Sequence, residues 1–441
     1  MKVKSLLFVF VAAMSFAATA SAQFVPGGNK KQLVTEDGVV YFLYAKDTDG
    51  TPRNLAMLAD AKSFEGTSYE IPGTVTDGGV DYMVKAIDQN AFDGMRKLES
   101  VKISRGVTTI YDCAFRNCAK LKTIESPRYI FEYIGRNVFA GTPWLESQKE
   151  KAYDYVSWGA WIIGMKKPVT SEKFVLPSGT KGICKGVFNA NNMFSKIIVL
   201  PKTLEYHGDA EDYQFLQNFE KFEVDKDNET FCTDEYGVLY RTLNPFDKEY
   251  PNQGRSLAVY PLQCKLTKYT TAMKGVICID RFAFCGKPYL KELIVSEGVR
   301  TVEDAFRDMA NLEYLQLPSS VKNMESGIYG CGKLEKLVIT APEKPKLSKY
   351  GITFKSCNPD LVLYVPANLL EEYKADKAYT QYITDIRAID SQVVGIEQAK
   401  ADGSAEVKAV YSADGTRLNA MQKGVNIVKM SDGTVKKVIH K

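Results

Sequence analysis

Leu98-Glu-Ser-Val101-Lys-Ile103 is followed by Val107-Thr-Thr-Ile110 and by Ala114-Phe115-Arg-Asn-Cys118, and Leu121-Lys-Thr-Ile124 then begins the same order again. The two leading leucines stand 23 residues apart, and Leu290, Leu312 and Leu334 continue at 22-residue steps. A fixed period in the twenties is the signature of a stacked solenoid, in which each repeat is one coil. The chain has 441 residues, more than one ordinary globular core uses. A solenoid escapes that ceiling because each coil contacts only its neighbours.

Each repeat carries two apolar stations. In Leu-x-x-Val-x-Ile the alternation has strand periodicity, with one face in and one out. Matching pairs are Val101/Ile103, Leu293/Val295, Leu315/Leu317 and Leu337/Ile339. Leu176-Pro177, Leu200-Pro201, Leu317-Pro318 and Val365-Pro366 close several of these strands, since proline has no N–H to donate to a ladder. At the second station an aromatic follows an apolar residue by five positions: Ile87/Phe92, Ile110/Phe115, Ile134/Phe139, Ile183/Phe188 and Ile279/Phe284. Met324/Tyr329 keeps that spacing, and Val302/Phe306 is one residue shorter. Stacked, Phe92, Phe115, Phe139, Phe188, Phe284 and Phe306 are expected to form a core ladder, each burying an aromatic face. The fold class expected is mainly β, a right-handed solenoid of short parallel strands with one continuous apolar spine.

These units resemble the BspA-type leucine-rich repeats of bacterial surface antigens. Gly38-Val-Val-Tyr41 and Tyr69-Glu-Ile-Pro72 resemble that family's opening segment, Gly141-Thr-Pro-Trp144 an interruption after a Phe, and Phe222-Glu-Val-Asp225 with Gly237-Val-Leu-Tyr240 another. The resemblance covers roughly residues 34–388 and implies a leucine-rich-repeat fold and adhesion to surface macromolecules, without fixing the ligand.

The domain order expected is a secretory signal at 1–22, a β cap at 23–58, the repeat solenoid at 59–388, a linker at 389–402 and a small antiparallel β-module at 403–441. Lys2 and Lys4, the apolar run Leu6 to Ala13 and the small residues before an Ala22/Gln23 cleavage point carry the signal reading. That apolar run is too short to span a bilayer, and no other stretch of spanning length occurs. Degenerate coils or insertions are expected near 142–173 and 205–262, and a capping helix near 367–382, begun by Asn368. Tyr411-Ser-Ala-Asp-Gly415, Gly424-Val-Asn-Ile-Val428 and Lys436-Lys437 resemble the sorting domain that directs exported proteins of Bacteroidota through type IX secretion. A structural β-module without that role is the alternative.

Composition excludes several function classes. The net charge of +4 is too small for nucleic-acid binding by bulk charge. The two His, at 207 and 440, form no metal-ligand spacing, and no Cys-x-x-Cys occurs. No nucleophile elbow or phosphate loop is found, and no cofactor is expected. Glu211/Asp212 and Asp225/Asp227 are read as solvated loop carboxylates. Nine Cys in an exported chain invite disulfides. Yet Met95, Cys118, Met309 and Cys357 share one repeat position, so that position calls for a soft apolar plug. Most Cys are expected to be reduced and buried, with Cys278/Cys285 or Cys113/Cys118 as pairs that coil geometry would decide.

A non-catalytic binding protein, secreted or on the cell surface and expected to be monomeric, is the reading these features favour. Its partner would be an extracellular protein or glycan. Outward strand positions define the contact candidates Lys102, Glu125, Ile294, Tyr314, Gln316 and Val338, with Ile294, Tyr314 and Val338 expected as an apolar strip. The loop aromatics Trp158 and Trp161 would serve a glycan-capture reading. A spacer without ligand is the third reading; a hydrolase finds no residues to support it.

Overall fold

The computed structural model describes residues 26–27, 30–47, 52–127, 131–188, 191–205, 219–243, 254–271, 273–325, 328–347, 354–389, 407–412, 417–418, 424–430 and 435–440. The expected signal with Ala22 and Gln23, His207, Glu211, Asp212 and nearly all of the expected linker lie outside the described residues. The chain divides into two compact units, Met1–Arg387 and Ala388–Lys441.

In the first unit the two apolar stations become two columns of short parallel strands. The first column is built by Ser68–Ile71, Ser100–Ile103 and Thr123–Glu125, then by Lys173–Val175, Ile197–Leu200 and Lys221–Val224. It continues as Lys268–Thr270, Glu292–Ile294, Tyr314–Leu317, Lys336–Ile339, Val362–Val365 and Asp385–Ala388. The second column includes Val80–Ile87, Thr109–Ile110 and Tyr133–Ile134, and later Val276–Ile279, Thr301–Glu303 and Asn323–Glu325. Alternation works as read from the repeat: Val101 and Ile103 are buried while Lys102 between them is exposed. Ile197–Leu200, Tyr314–Leu317 and Val362–Val365 each stop at the residue before proline. The fold is a mainly β solenoid.

All six expected ladder phenylalanines are buried. Phe115 stacks between Phe92, at 4.8 Å and 19°, and Phe139, at 5.8 Å and 9°. Phe284 and Phe306 lie 5.8 Å apart. One rung differs from the sequence expectation. Phe306 pairs in register with Ile328, and Tyr329 pairs with Arg307 beside the ladder. The aromatic spacing placed Tyr329 on the rung, but both coils share the shorter interval, because Val302 pairs with Met324.

Among the described residues the apolar spine falls into two parts. Buried side chains fall into two large clusters, one running from Leu33 to Val259 and the other from Val238 to Ile386. They interleave at the hairpin of Leu239–Thr242 and Arg255–Val259: Leu239, Ala258 and Val259 belong to the first, and Val238, Tyr240, Leu257 and Tyr260 to the second.

The cause is a second opening module in mid-chain. The array begins with an antiparallel meander of Lys31–Val34, Val40–Asp47 and Pro52–Asp60, which then pairs in parallel with Val80–Ile87. Phe231–Thr233, Leu239–Thr242 and Arg255–Val259 repeat it and pair in parallel with Val276–Ile279. The register agrees residue by residue. Tyr41 pairs with Leu58, just after an irregularity at Val40/Tyr41, and Leu58 pairs with Ile87. Tyr240 pairs with Leu257, just after an irregularity at Leu239/Tyr240, and Leu257 pairs with Ile279. Both turns use a left-handed glycine, Gly38 at φ 84° and Gly237 at φ 75°. In each, the glycine N–H returns to a carbonyl three residues earlier, that of Thr35 or Asp234. Each module ties its strand to the first coil by a tyrosine pair: Tyr41 to Tyr69 at 2.9 Å and Tyr240 to Tyr269 at 2.6 Å. The solenoid is thus two successive arrays, each opened by its own meander.

The degenerate stretch after residue 142 is a helix, Pro143–Lys151, and a hairpin, Tyr155–Trp158 with Trp161–Met165. Thr142 caps the helix by accepting the Leu145 N–H. The expected continuous helix near 367–382 is instead a 3₁₀ turn, Ala367–Leu369, and two short helices, Leu370–Ala375 and Lys377–Thr380. Asn368 makes no cap. Asp376 breaks the helix, since its carboxylate accepts the Ala378 N–H and is held by Lys344 at 2.7 Å. The second unit is a four-stranded antiparallel sheet in the order Arg417–Leu418, Val407–Ser412, Gly424–Met430, Val435–His440. Among the described residues no helix is long and apolar enough to cross a membrane.

Candidate binding surface

Parallel pairing in register stacks outward side chains of successive coils into columns about 4.8 Å apart. On the sheet of the first array one column is Glu70, Lys102, Glu125, and beside it stands Ser68, Ser100, Thr123. Lys102 bonds Glu70 at 2.6 Å, and that contact, reinforced by Glu125, holds its ammonium above the usual lysine value. Lys102 and Glu125 therefore do share one column.

The other four contact candidates lie on the sheet of the second array. Its two outward columns read Lys268, Glu292, Tyr314, Lys336, Val362 and Thr270, Ile294, Gln316, Val338, Tyr364. Tyr314 is one column away from Ile294, and its hydroxyl donates to Gln316 Oε1 at 2.7 Å. Val338 is buried, flanked in register by the longer side chains of Gln316 and Tyr364. The expected apolar strip of Ile294, Tyr314 and Val338 is therefore absent as a continuous exposed feature.

Trp158 and Trp161 are not loop aromatics. They face each other across the hairpin and pack inward. Trp161 is buried and donates its indole N–H to the Phe131 carbonyl at 3.0 Å. Trp158 is half-buried against Phe131, Phe139 and Trp144, with ring centres 4.4, 5.0 and 5.5 Å away. Trp161 is thus committed to the core, and Trp158 is left partly exposed at its edge.

A groove of about 440 Å³ lies at the seam between the arrays, where the first column breaks after Lys221–Val224 and resumes at Lys268–Thr270. Lys196, Ile197, Glu220 and Lys221 line one side, and Tyr236 and Lys265 are among the residues of the other. Tyr236 is 42% exposed and Tyr289 37%. Lys265 sits over the Tyr289 ring at 4.1 Å and donates to its hydroxyl at 2.8 Å. The sheet of the same first-array end exposes Val175 at 60%, and Phe194 nearby in sequence is 57% exposed. Glu235 beside Tyr236 pushes its phenol up, so it stays neutral at physiological pH.

A buried ion pair braces the second meander under this seam. Arg241 Nε donates to Asp280 at 2.7 Å, and Ser256 adds a hydroxyl at 3.0 Å, all three buried. In the first meander the corresponding positions are Phe42, Met57 and Asp88, where burial raises the Asp88 carboxyl. The sequence signal for the seam was the repetition of Gly-Val-x-Tyr at 38 and 237, which marks a second beginning. Among the described residues no group of three or more His, Cys, Asp or Glu is placed to hold a metal ion.

Known proteins bear on the repeat. No curated protein matches the chain. Among solved structures, a leucine-rich repeat protein from Eubacterium ventriosum is 21% identical, with 79% of this chain and 78% of that one covered and a TM-score of 0.38. A leucine-rich cell surface protein from Faecalibacterium prausnitzii is 18% identical, with 85% and 97% covered and a TM-score of 0.38. The pneumococcal vaccine antigen PcpA is 16% identical, with 82% and 99% covered and a TM-score of 0.32. The model for the BspA type leucine rich repeat region matches in 6 copies, over residues 79–151 and 262–363, which leaves out the hairpin after residue 152 and the second meander. These two stretches carry BspA-type leucine-rich repeats.

Proposed function

We propose that the protein is a non-catalytic binding protein, secreted or at the cell surface, that grips an extracellular protein partner at the seam between its two arrays. The observation that supports this is the groove there, where the exposed Tyr236 stands with Lys196, Lys221 and Lys265, and Lys265 also holds the exposed Tyr289. Tyrosine offers large, rigid contact area at little entropic cost and is enriched where protein surfaces meet. The inward tryptophans weigh against glycan capture. Immobilised chain tested against panels of extracellular proteins and glycans separates the readings. Tyr236→Ala with Tyr289→Ala is expected to weaken a protein hit tenfold or more, while Lys102→Ala leaves it unchanged. A hit indifferent to both tyrosines would place the contact elsewhere, and glycan hits alone would refute a protein partner.

The carboxy-terminal sheet is proposed as a type IX sorting domain. Its support is a compact unit of its own, built on the strands that carry Gly424-Val-Asn-Ile-Val428 and Lys436-Lys437. Removing residues 403–441 in a Bacteroidota host is expected to hold the protein in the periplasm; unchanged export would reject the role.

A further inference from the structure

Three residues after a ladder rung stand Met95, Cys118 and Met309 in different coils, and in two successive coils Cys331 and Cys357. Ile328 and Phe354 are the rungs that set these two. Every cysteine at this position aims its sulfur the same way, toward the rung carbonyl of the coil before: Cys118 to Phe92 at 3.0 Å, Cys331 to Phe306 at 3.4 Å and Cys357 to Ile328 at 3.6 Å. The two coils are pinned together on both sides of the pair. Gly330 N–H donates to the Lys355 carbonyl at 3.1 Å, and Asn358 N–H to the Cys331 carbonyl at 3.2 Å. Cysteines held at equivalent places on adjacent coils satisfy the Cα spacing a disulfide needs.

We propose that Cys331 and Cys357 are a disulfide site that staples these two coils beneath the carboxy-terminal cap. The thiols have divided roles. Cys357 is half-buried and Cys331 buried. The two neighbouring thiols act on each other, Cys331 pushed up and Cys357 down, so Cys357 is the one that ionises first. The Cys357 thiolate attacks an external low-molecular-weight disulfide, forming a mixed disulfide and releasing one thiolate. Cys331 then loses its proton to solvent and attacks Cys357 Sγ, expelling the second thiolate. The protein thiols are oxidised by two electrons, and the external disulfide is reduced to two thiols.

The test exposes the folded full-length chain to oxidised glutathione, blocks remaining thiols by alkylation, and maps peptides by mass spectrometry. The expected result is a Cys331–Cys357 linked peptide that vanishes on reduction, with Cys118 alkylated, and a thermal midpoint higher in the linked form than in the reduced form. Cys331→Ser is expected to stop at a glutathione mixed disulfide on Cys357. Alkylation of both residues in the unsubstituted chain, a stable mixed disulfide there, or a link from either residue to a third cysteine would each overturn the proposal.

Discussion

One side chain puts a buried ammonium at the plug position of the repeat. Lys287 stands three residues after Phe284, where Met95, Cys118 and Met309 place an apolar plug. It is buried, its ammonium nitrogen finds no hydrogen-bond partner, and burial pushes it down to about 7. An unfolded lysine titrates near 10.4, so between roughly pH 7 and pH 10 the unfolded chain binds the extra proton and stability rises by about 1.4 kcal/mol per pH unit from this group. Below about 7 the full penalty, on the order of 5 kcal/mol, is present. Lys287→Met is therefore expected to stabilise the protein at pH 6.5, in the direction buried charges show when replaced by apolar groups. Its advantage should shrink steadily toward pH 10, as read from denaturant midpoints of parent and variant across pH. A pH-independent difference would contradict the account.

At the scale of elements, much was legible because stacking obeys a short rule. The Val-x-Ile strands, the proline stops and the phenylalanine ladder follow from spacing alone, since a residue in one coil can meet only its equivalent in the next. Tyr329 was misplaced because apolar spacing cannot tell an interval of five from one of four, and the tighter coil carries Ile328 on the rung. The capping helix was read as continuous because Leu369, Leu370 and Tyr373 keep a helical stripe. Asp376 breaks it by capping Ala378 two residues on, and the tie that holds Asp376 there comes from Lys344, distant in sequence. The contact candidates were the least legible part. Alternation decides that Val338 points away from the core, but it does not say what covers that face, and Val338 is buried between Gln316 and Tyr364. The tryptophans were read as loop aromatics because spacing alone does not say which side of a degenerate stretch turns inward; here that side faces Phe131 and Phe139.

At the scale of the whole molecule, the meander at 231–259 changes what the solenoid is. A single array would unfold by fraying along one spine, because stability in stacked repeats is a sum of neighbour terms. Two spines, each opened by its own meander and joined through a hairpin that gives residues to both, are expected to unfold as two cooperative blocks. The same seam breaks the first column of strands and leaves the groove proposed as the contact site, so architecture and function meet at Tyr236 and Lys265.

Hydrogen exchange followed residue by residue in Phe306→Ala tests the two-array account most directly. Truncating a buried rung phenylalanine costs about 3–5 kcal/mol, and in this fold that loss belongs to the second cluster. Faster exchange across the strands from Val276 to Val365, with Ser100–Ile103 and Thr109–Ile110 protected as before, is the predicted result. Equal loss of protection along both arrays would show one shared spine and contradict it.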